Sequence, residues 1–246
     1  MRIGLVGCSG KMGTLIKTLL QAKSDYIIGP GFSRNSAHPL AFVIENNDIL
    51  MDFSSSELME ELLIALLSNP KPLILGTTLP SQSSAVNEQI QSLSRHVPVV
   101  VCSNTSLGSY MQKRLATLLA KVFDDSYDIR IREVHHRGKK DPVSGTAQDL
   151  VATICRAKQE EWQQEYSVGT NCKNVRNIEL HASRVGSVPG DHEVAFINDK
   201  EQILIRHTVF SREVFAEGAL RILDWLIKES PPPGYYGTEA GLKVSV

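Results

Sequence analysis

The chain has 246 residues, with 26 Lys plus Arg against 27 Asp plus Glu, 42% hydrophobic and 22% charged. That is globular composition for one large or two modest domains, and it excludes a disordered or fibrous chain. A formal net charge of -1 gives no bulk attraction to nucleic acid or to an anionic membrane, so small-molecule chemistry is expected, with neither as a partner.

Met1 to Gly7 holds one basic residue and an apolar run too short for a signal peptide, and no stretch reaches the ~18 apolar residues of a membrane helix. Cys8, Cys102, Cys155 and Cys172 are widely spaced without a Cys-x-x-Cys, which argues against a disulfide scaffold or a structural zinc site. A soluble protein of the reducing cytoplasm is expected.

In chain order, Ile3 to Val6 is a short apolar run ending in glycines, and Met12, Leu15, Ile16, Leu19 and Leu20 then recur at helical spacing: strand, tight turn, helix. Tyr26 to Phe32 reads as the next strand and Ile49 to Phe53 as another. Ser54-Ser55-Ser56-Glu57 then reads as a capping box opening a helix through Leu67. Leu73 to Leu75 precedes Gly76-Thr77-Thr78, a polar helix covers Ser84 to Leu93, and Val97 to Cys102 is a continuous apolar strand of the kind buried on both faces. Strands alternating with helices predict a parallel sheet.

After Gly108 the pattern changes. A helix runs through Phe123; then Tyr127, Ile129 and Ile131 alternate with Asp128, Arg130 and Arg132, as do Ile178, Leu180 and Ala182 with their neighbours. Ile203, Ile205 and His207 follow the polar turn Asn198-Asp199-Lys200, which reads as a hairpin. A last helix, about Arg212 to Lys228, meets Pro231-Pro232-Pro233 and stops. The predicted fold class is α/β: an N-terminal Rossmann-like, doubly wound parallel sheet, with a second α+β domain on an open mixed or antiparallel sheet. The expected domains are 1-107 plus 213-246 for a dinucleotide, and 108-212 for substrate and oligomerisation.

Gly7-Cys8-Ser9-Gly10-Lys11-Met12-Gly13 lies between the first strand and the first helix, where a dinucleotide turn brings pyrophosphate to a helix N-terminus. It departs from G-x-G-x-x-G in that, read to end at Gly13, its first glycine is Cys8. About 20 residues on from the turn, where a carboxylate would grip the ribose of NAD, stand Ser33 and Arg34. A guanidinium there favours NADPH, whose 2'-phosphate a carboxylate would repel, and Lys11 could help. The residues alone leave Arg34 open between this role and that of a solvated loop residue.

Glu133 to Ala147, Glu-Val-His-His-Arg-Gly-Lys-Lys-Asp-Pro-Val-Ser-Gly-Thr-Ala, is the densest chemistry in the chain. Ala147, Leu150, Val151 and Ile154 form the apolar face of a helix, so Ser144, Gly145 and Thr146 stand at its N-terminus, where N-H groups and hydroxyls can hold a carboxylate or phosphate. His135, His136, Arg137, Lys139 and Lys140 add cations and a proton donor near neutral pH. Each feature alone has a plain reading as a cap, a solvated basic loop or a structural histidine; together they point to an anionic substrate and acid catalysis. A hydrolytic triad of His135, Asp141 and Ser144 lacks a G-x-S-x-G elbow. A metal shared by His135 and His136 conflicts with the opposite directions of adjacent strand side chains, and no metal is expected.

With these residues in hand, the sequence resembles the dihydrodipicolinate reductase family, whose signature is E-x-H-H-x-x-K-x-D-x-x-S-G-T-A. Gly7 to Gly13 is similar to the family's nucleotide turn, Asp52-Phe53-Ser54 to its D-F-[ST], Gly76-Thr77-Thr78 to its G-T-T loop, and Ser103 to Gly108 to its N-x-S-x-G stretch. Arg184-Val185-Gly186 and Gly190 to Phe196 resemble its R-x-G and G-x-H-x-V-x-F. The resemblance implies reduction of a cyclic imine dicarboxylate, the dehydrated form of 4-hydroxy-tetrahydrodipicolinate, to tetrahydrodipicolinate on the diaminopimelate route to lysine. The cofactor would be NADPH (preferred) or NADH, and the assembly a cytoplasmic homotetramer. It also implies His135 as proton donor or acceptor, Lys139 as a second acid, and His136, Lys139, Ser144, Gly145 and Thr146 around the substrate carboxylates. Gly76, Thr77, Thr78, Cys102, Ser103, Asn104 and Thr105 would join the glycine turn, Ser33 and Arg34 at the cofactor. The chain departs from the family at Pro142-Val143, where Ala-Pro is usual, at Ser33, where an acidic residue is common, and in the tail from Gly234 to Leu242.

Overall fold

The computed structural model describes residues 1–23, 25–79, 84–102, 104–158, 166–168 and 178–242. These separate into two compact units, one of Met1–Leu107 with Glu213–Val246, the other of Gly108–Arg212.

In the first unit the elements are β1 (Arg2–Val6), α1 (Lys11–Gln21), β2 (Ile27–Ile28), α2 (Leu40–Glu45), β3 (Ile49–Asp52), α3 (Ser56–Ser68), β4 (Leu73–Leu75), α4 (Ser84–Ser94) and β5 (Pro98–Val101). The second unit contains α5 (Leu107–Val122), which starts at the boundary, then β6 (Asp128–His135), α6 (Gly145–Lys158), β7 (Tyr166–Val168), β8 (Ile178–Arg184), β9 (Gly190–Ile197) and β10 (Gln202–Val209). The chain then returns to the first unit with α7 (Glu213–Glu229), β11 (Gly234–Gly237) and α8 (Glu239–Leu242).

The first sheet is parallel throughout, in the order β11-β5-β4-β3-β1-β2. Residues 49–52 and 73–75 are buried without exception, which is why their sequences run apolar rather than alternating. Met59, Leu62, Leu63 and Leu66 of α3 and Val86, Ile90 and Leu93 of α4 pack on this sheet. Each such burial stabilises by ~1.5–3 kcal/mol before chain entropy is counted.

Two features differ from the sequence reading, and the tail adds elements it did not assign. The second strand shrinks to Ile27–Ile28 plus an isolated bridge between Val6 and Phe32. The expected capping box does not form: α3 is capped by the backbone of Ser55, without a side-chain cap bond, because Ser54 gives its hydroxyl to Asp52. Beyond the proline run, the atypical tail docks. Ser230 (φ 41) ends α7 in the left-handed region, β11 pairs with β5 as a sixth strand, and α8 approaches α7 so closely that a methyl on Gly241 would lie 2.6 Å from the Ile222 Cα.

The second sheet has the order β10-β9-β6-β8-β7 and is mixed, β6 running parallel to β8 and antiparallel to β9. Its inner face carries Ile129, Ile131, Ile178, Leu180, Val194 and Phe196 against Leu150, Val151 and Ile154 of α6 and Ala116 and Ala120 of α5. The opposite face carries charge pairs instead, Arg130 with Glu193 and Arg206 with Asp191. Asn198 Oδ1 accepts the N–H groups of Lys200 and Glu201, fixing the β9–β10 hairpin.

Candidate active site

On the first unit, the predicted nucleotide residues gather at the carboxyl ends of the parallel strands. The chain passes from β1 outward to β2 and then back across to β3, so the turn after β1 stands at the switch point where open α/β sheets bind ligands. Gly7 has φ 83, and a methyl on it would lie 2.5 Å from the Phe53 carbonyl oxygen; one on Gly13 would lie 2.2 Å from that of Gly7. Both glycines are therefore required by the backbone. The N–H groups of Gly7 and Cys8 donate to the Phe32 carbonyl, and that of Gly10 to the Gly7 carbonyl, closing a tight turn. Ser9 belongs to this turn, and Lys11 and Met12 open α1. The helix has no side-chain cap bond and no acidic residue in its first turn, which suits a pyrophosphate.

Ser33 follows the Phe32 bridge, its N–H held by the Ser36 hydroxyl at 2.6 Å. Arg34 is exposed. Glu57 sits below the usual carboxylate range, chiefly through the Ser55 hydroxyl and in part through the charge of Arg34. Gly76 is sterically demanded, since a methyl would lie 2.2 Å from the Phe53 ring. The Thr77 hydroxyl accepts the Ser54 N–H at 2.9 Å, and Thr78 is exposed. Burial raises the Asp52 carboxyl, against the hydroxyls of Ser54 and Thr77. Cys102 is buried, Asn104 Oδ1 accepts the Ser106 N–H, and Thr105 gives its hydroxyl to the Phe215 carbonyl at 2.6 Å. Thr105 thus serves the wall of this unit with its side chain. Ser103 lies outside the described residues.

On the second unit, His135 ends β6 and Ser144 caps α6, accepting the Ala147 N–H at 3.1 Å. Gly145 and Thr146 are the next two residues. A methyl on Gly145 would meet nothing within 4 Å, so no protein neighbour dictates a glycine there. Val143 is buried in the core beneath α6, which is where the departure from the usual proline goes. Lys139 pairs with Asp141 at 2.9 Å, and His136 is half-buried on the loop, its Nδ1 3.4 Å from where a methyl on Gly138 would stand.

Beneath this loop lies a buried carboxylate. Glu133, fully buried, accepts the Ser144 N–H (3.1 and 3.3 Å) and pairs through Oε1 with Arg184 at 3.3 Å. Its Oε2 faces His135 Nδ1 at 3.6 Å and His192 Nε2 at 3.5 Å. Strand register makes the cluster: Glu133 stands opposite His192 on β9, and His135 opposite Arg184 on β8. Arg184 also donates to the carbonyls of Asp141 and Pro142, tying the loop down. Burial alone would raise Glu133, yet hydrogen bonds from His192 and Ser144 and the charge of His135 hold it at about 2. Burial and the neighbouring His192 push His135 down to about 4. Glu133, His135 and His192 bring one potential ligand atom each within 4.8 Å, but Arg184 already neutralises the carboxylate.

The descriptions that match the chain are "Dihydrodipicolinate reductase, N-terminus" over residues 1–105 and "Dihydrodipicolinate reductase, C-terminus" over residues 108–242. The chain belongs to the dihydrodipicolinate reductase family. A 4-hydroxy-tetrahydrodipicolinate reductase of Chlamydia felis is 70% identical over 246 residues, the whole of both chains. One of Campylobacter lari is 33% identical over 93% of this chain and 94% of its own. Among solved structures, a dipicolinate-bound dihydrodipicolinate reductase from Paenisporosarcina sp. TG-14 superposes with a TM-score of 0.75 at 18% identity, covering 99% of each chain.

His135, Lys139 and Ser144 are proposed from the sequence because they share one short segment of the dihydrodipicolinate reductase signature. Spacing along the chain gives Glu133, Arg184 and His192 no role. The signal was present for Glu133, which is two residues from His135 and so on the same strand face. For Arg184 and His192 it required the register of three strands.

Proposed function

We propose that the chain reduces 4-hydroxy-tetrahydrodipicolinate, through its dehydrated cyclic imine, to tetrahydrodipicolinate on the route to lysine, using a nicotinamide cofactor. The observation that carries this reading is the family match over both halves of the chain, and the convergence of His135 and the Ser144 cap of α6 on the buried Glu133, with the Lys139 charge felt at His135, supports it. Those groups can hold a carboxylate and deliver a proton together. The first unit would bind the dinucleotide, and the second would bind substrate and assemble a homotetramer through its open sheet face. Among the described residues no helix is long and apolar enough to cross a membrane, and a cytoplasmic site of action is proposed.

When bound, a reduced nicotinamide would supply the hydride. The N–H groups at Gly145 and Thr146, with Lys139 and His136, hold the substrate carboxylates, and these cations favour electron flow toward the ring nitrogen as the imine is reduced. His135 supplies the compensating proton. Free His135 is neutral at physiological pH, and an arriving dianion raises its proton affinity, so binding prepares the acid. Lys139 can serve as the second acid once substrate replaces Asp141 beside it. On the first unit, Gly7 to Gly13 would receive the pyrophosphate, and Gly76, Thr77 and Thr78 with Cys102, Asn104 and Thr105 would hold the nicotinamide end. Arg34, assisted by Lys11, takes the 2'-phosphate, which makes NADPH the preferred cofactor and NADH the second.

The test is initial-rate oxidation of NADPH, then NADH, with substrate freshly generated by a coupled synthase. Turnover with both is expected, and His135→Ala should lower kcat by ~10²-fold or more. No turnover with either cofactor, by a folded protein that binds them, would overturn the assignment.

A further inference from the structure

We infer that Glu133 is the positioning residue of the proton-transfer step: clamped by Arg184, its one carboxylate orients the His135 imidazole through Nδ1 and also seats the first turn of α6. This rests on the reading of His135 as the proton donor. A carboxylate with no side-chain exposure is costly to bury unless it is paired and hydrogen-bonded, so its presence here calls for a use. Its bonds divide by direction. Oε1 is taken by Arg184, both oxygens receive the Ser144 N–H, and Oε2 is left facing two imidazoles, His135 Nδ1 at 3.6 Å and His192 Nε2 at 3.5 Å. His192 in turn contacts the Ser144 hydroxyl at 3.1 Å, so the strand pair and the cap of α6 are locked to the same carboxylate.

A neutral imidazole has one N–H to place. His135 Nδ1 is buried and has no hydrogen-bond partner among the described residues, and Glu133 Oε2 lies 3.6 Å from it. Putting the proton on Nδ1 turns it toward the anion and leaves the lone pair on Nε2. That nitrogen lies beside Gly190, where a methyl would stand 3.4 Å from it. Nε2 is then the atom that exchanges a proton with the ligand, and Glu133 stabilises the imidazolium when Nε2 is charged. The contact at 3.6 Å is long for a hydrogen bond, as such pairs often are before ligand tightens them.

The charges facing His135 are Glu133 on its own strand, His192 from β9, Arg184 from β8 and Lys139 from the loop. Glu133 is the one that raises its proton affinity, against burial, His192, Lys139 and Arg184. A side chain serving only the fold would leave the His135 tautomer and kcat unmoved when its charge alone is removed and the protein still folds.

The experiment has two arms on full-length protein, with tautomer and titration read without ligand and the kinetics read in turnover. Nitrogen NMR of imidazole-labelled wild type at neutral pH should show His135 as the Nδ1–H tautomer; the Nε2–H tautomer would overturn the inference without any variant. Glu133→Gln keeps an amide oxygen for the Ser144 N–H and removes the charge. His135 should then titrate about one pH unit lower, kcat should fall ~10- to 10²-fold with KM changed less than ~3-fold, and the acid limb of the pH profile should move the same way. A folded Glu133→Gln protein whose His135 titrates as in wild type would overturn it. Because tautomer and titration are read without turnover, failure here is distinct from failure of the reductase assignment.

Discussion

Replacing Gly145 by alanine separates folding from binding at the start of α6. A methyl there meets nothing within 4 Å, and the residue is not among those with positive φ, so the fold loses nothing. Alanine in place of glycine at a helix start instead adds up to about 1 kcal/mol. Helical Cβ atoms lean toward the N-terminus, so the methyl projects to where a substrate carboxylate would approach the first N–H groups at ~2.9 Å. Pushing that carboxylate back forfeits a charge-assisted hydrogen bond worth ~1.5–3 kcal/mol, which is a ~10- to 10²-fold loss of affinity. Steady-state kinetics with varied dicarboxylate should show KM raised by that factor, with the NADPH constant and the thermal midpoint unchanged or slightly improved. An unchanged KM would refute the placement of the carboxylate, and a clear fall in thermal midpoint would refute the open space.

Arg34→Ala should weaken NADPH by ~1–3 kcal/mol and spare NADH, measured by titration of each; equal losses would refute the phosphate contact. Gly13→Ala forces a methyl to 2.2 Å from the Gly7 carbonyl oxygen, so overpacking of ~1–3 kcal/mol outweighs its helical gain. Its thermal midpoint and affinity for both cofactors should fall, and wild-type values would contradict the tight turn. The folded-state affinity of His135 for a proton lies below that of the unfolded chain, so stability should fall as pH drops from about 6.5 toward about 4, the window in which the unfolded chain binds the proton first. His207, lowered by its own burial, adds the same sign. Denaturant titrations across that window, with His135→Gln flattening the slope, are the check; a slope unaltered by the substitution would count against it.

The first sheet was legible because buried parallel strands print continuous apolar runs, as Leu73–Leu75 does. The second was legible because one open face prints alternation, as Ile129 and Ile131 do. What escaped depends on tertiary partners. Leu40–Glu45 is a six-residue helix begun by Pro39, too short to show a period. Gly234–Gly237 follows directly on a proline run and is a strand because β5 offers it an edge. Ser54 satisfies the capping pattern, but buried Asp52 takes its hydroxyl. At the site, the loop from His135 to Thr146 shows its chemistry residue by residue. The Glu133–Arg184–His192 cluster is written in strand register, which spacing along the chain does not reveal.

The most direct test of the central claim is a crystal structure with pyridine-2,6-dicarboxylate and reduced cofactor bound. The account predicts one ligand carboxylate within hydrogen-bond distance of the Gly145 and Thr146 N–H groups and of Lys139 Nζ, with the ligand ring facing His135 Nε2. A dicarboxylate bound away from the start of α6, or His135 presenting Nδ1 to it, would contradict the account.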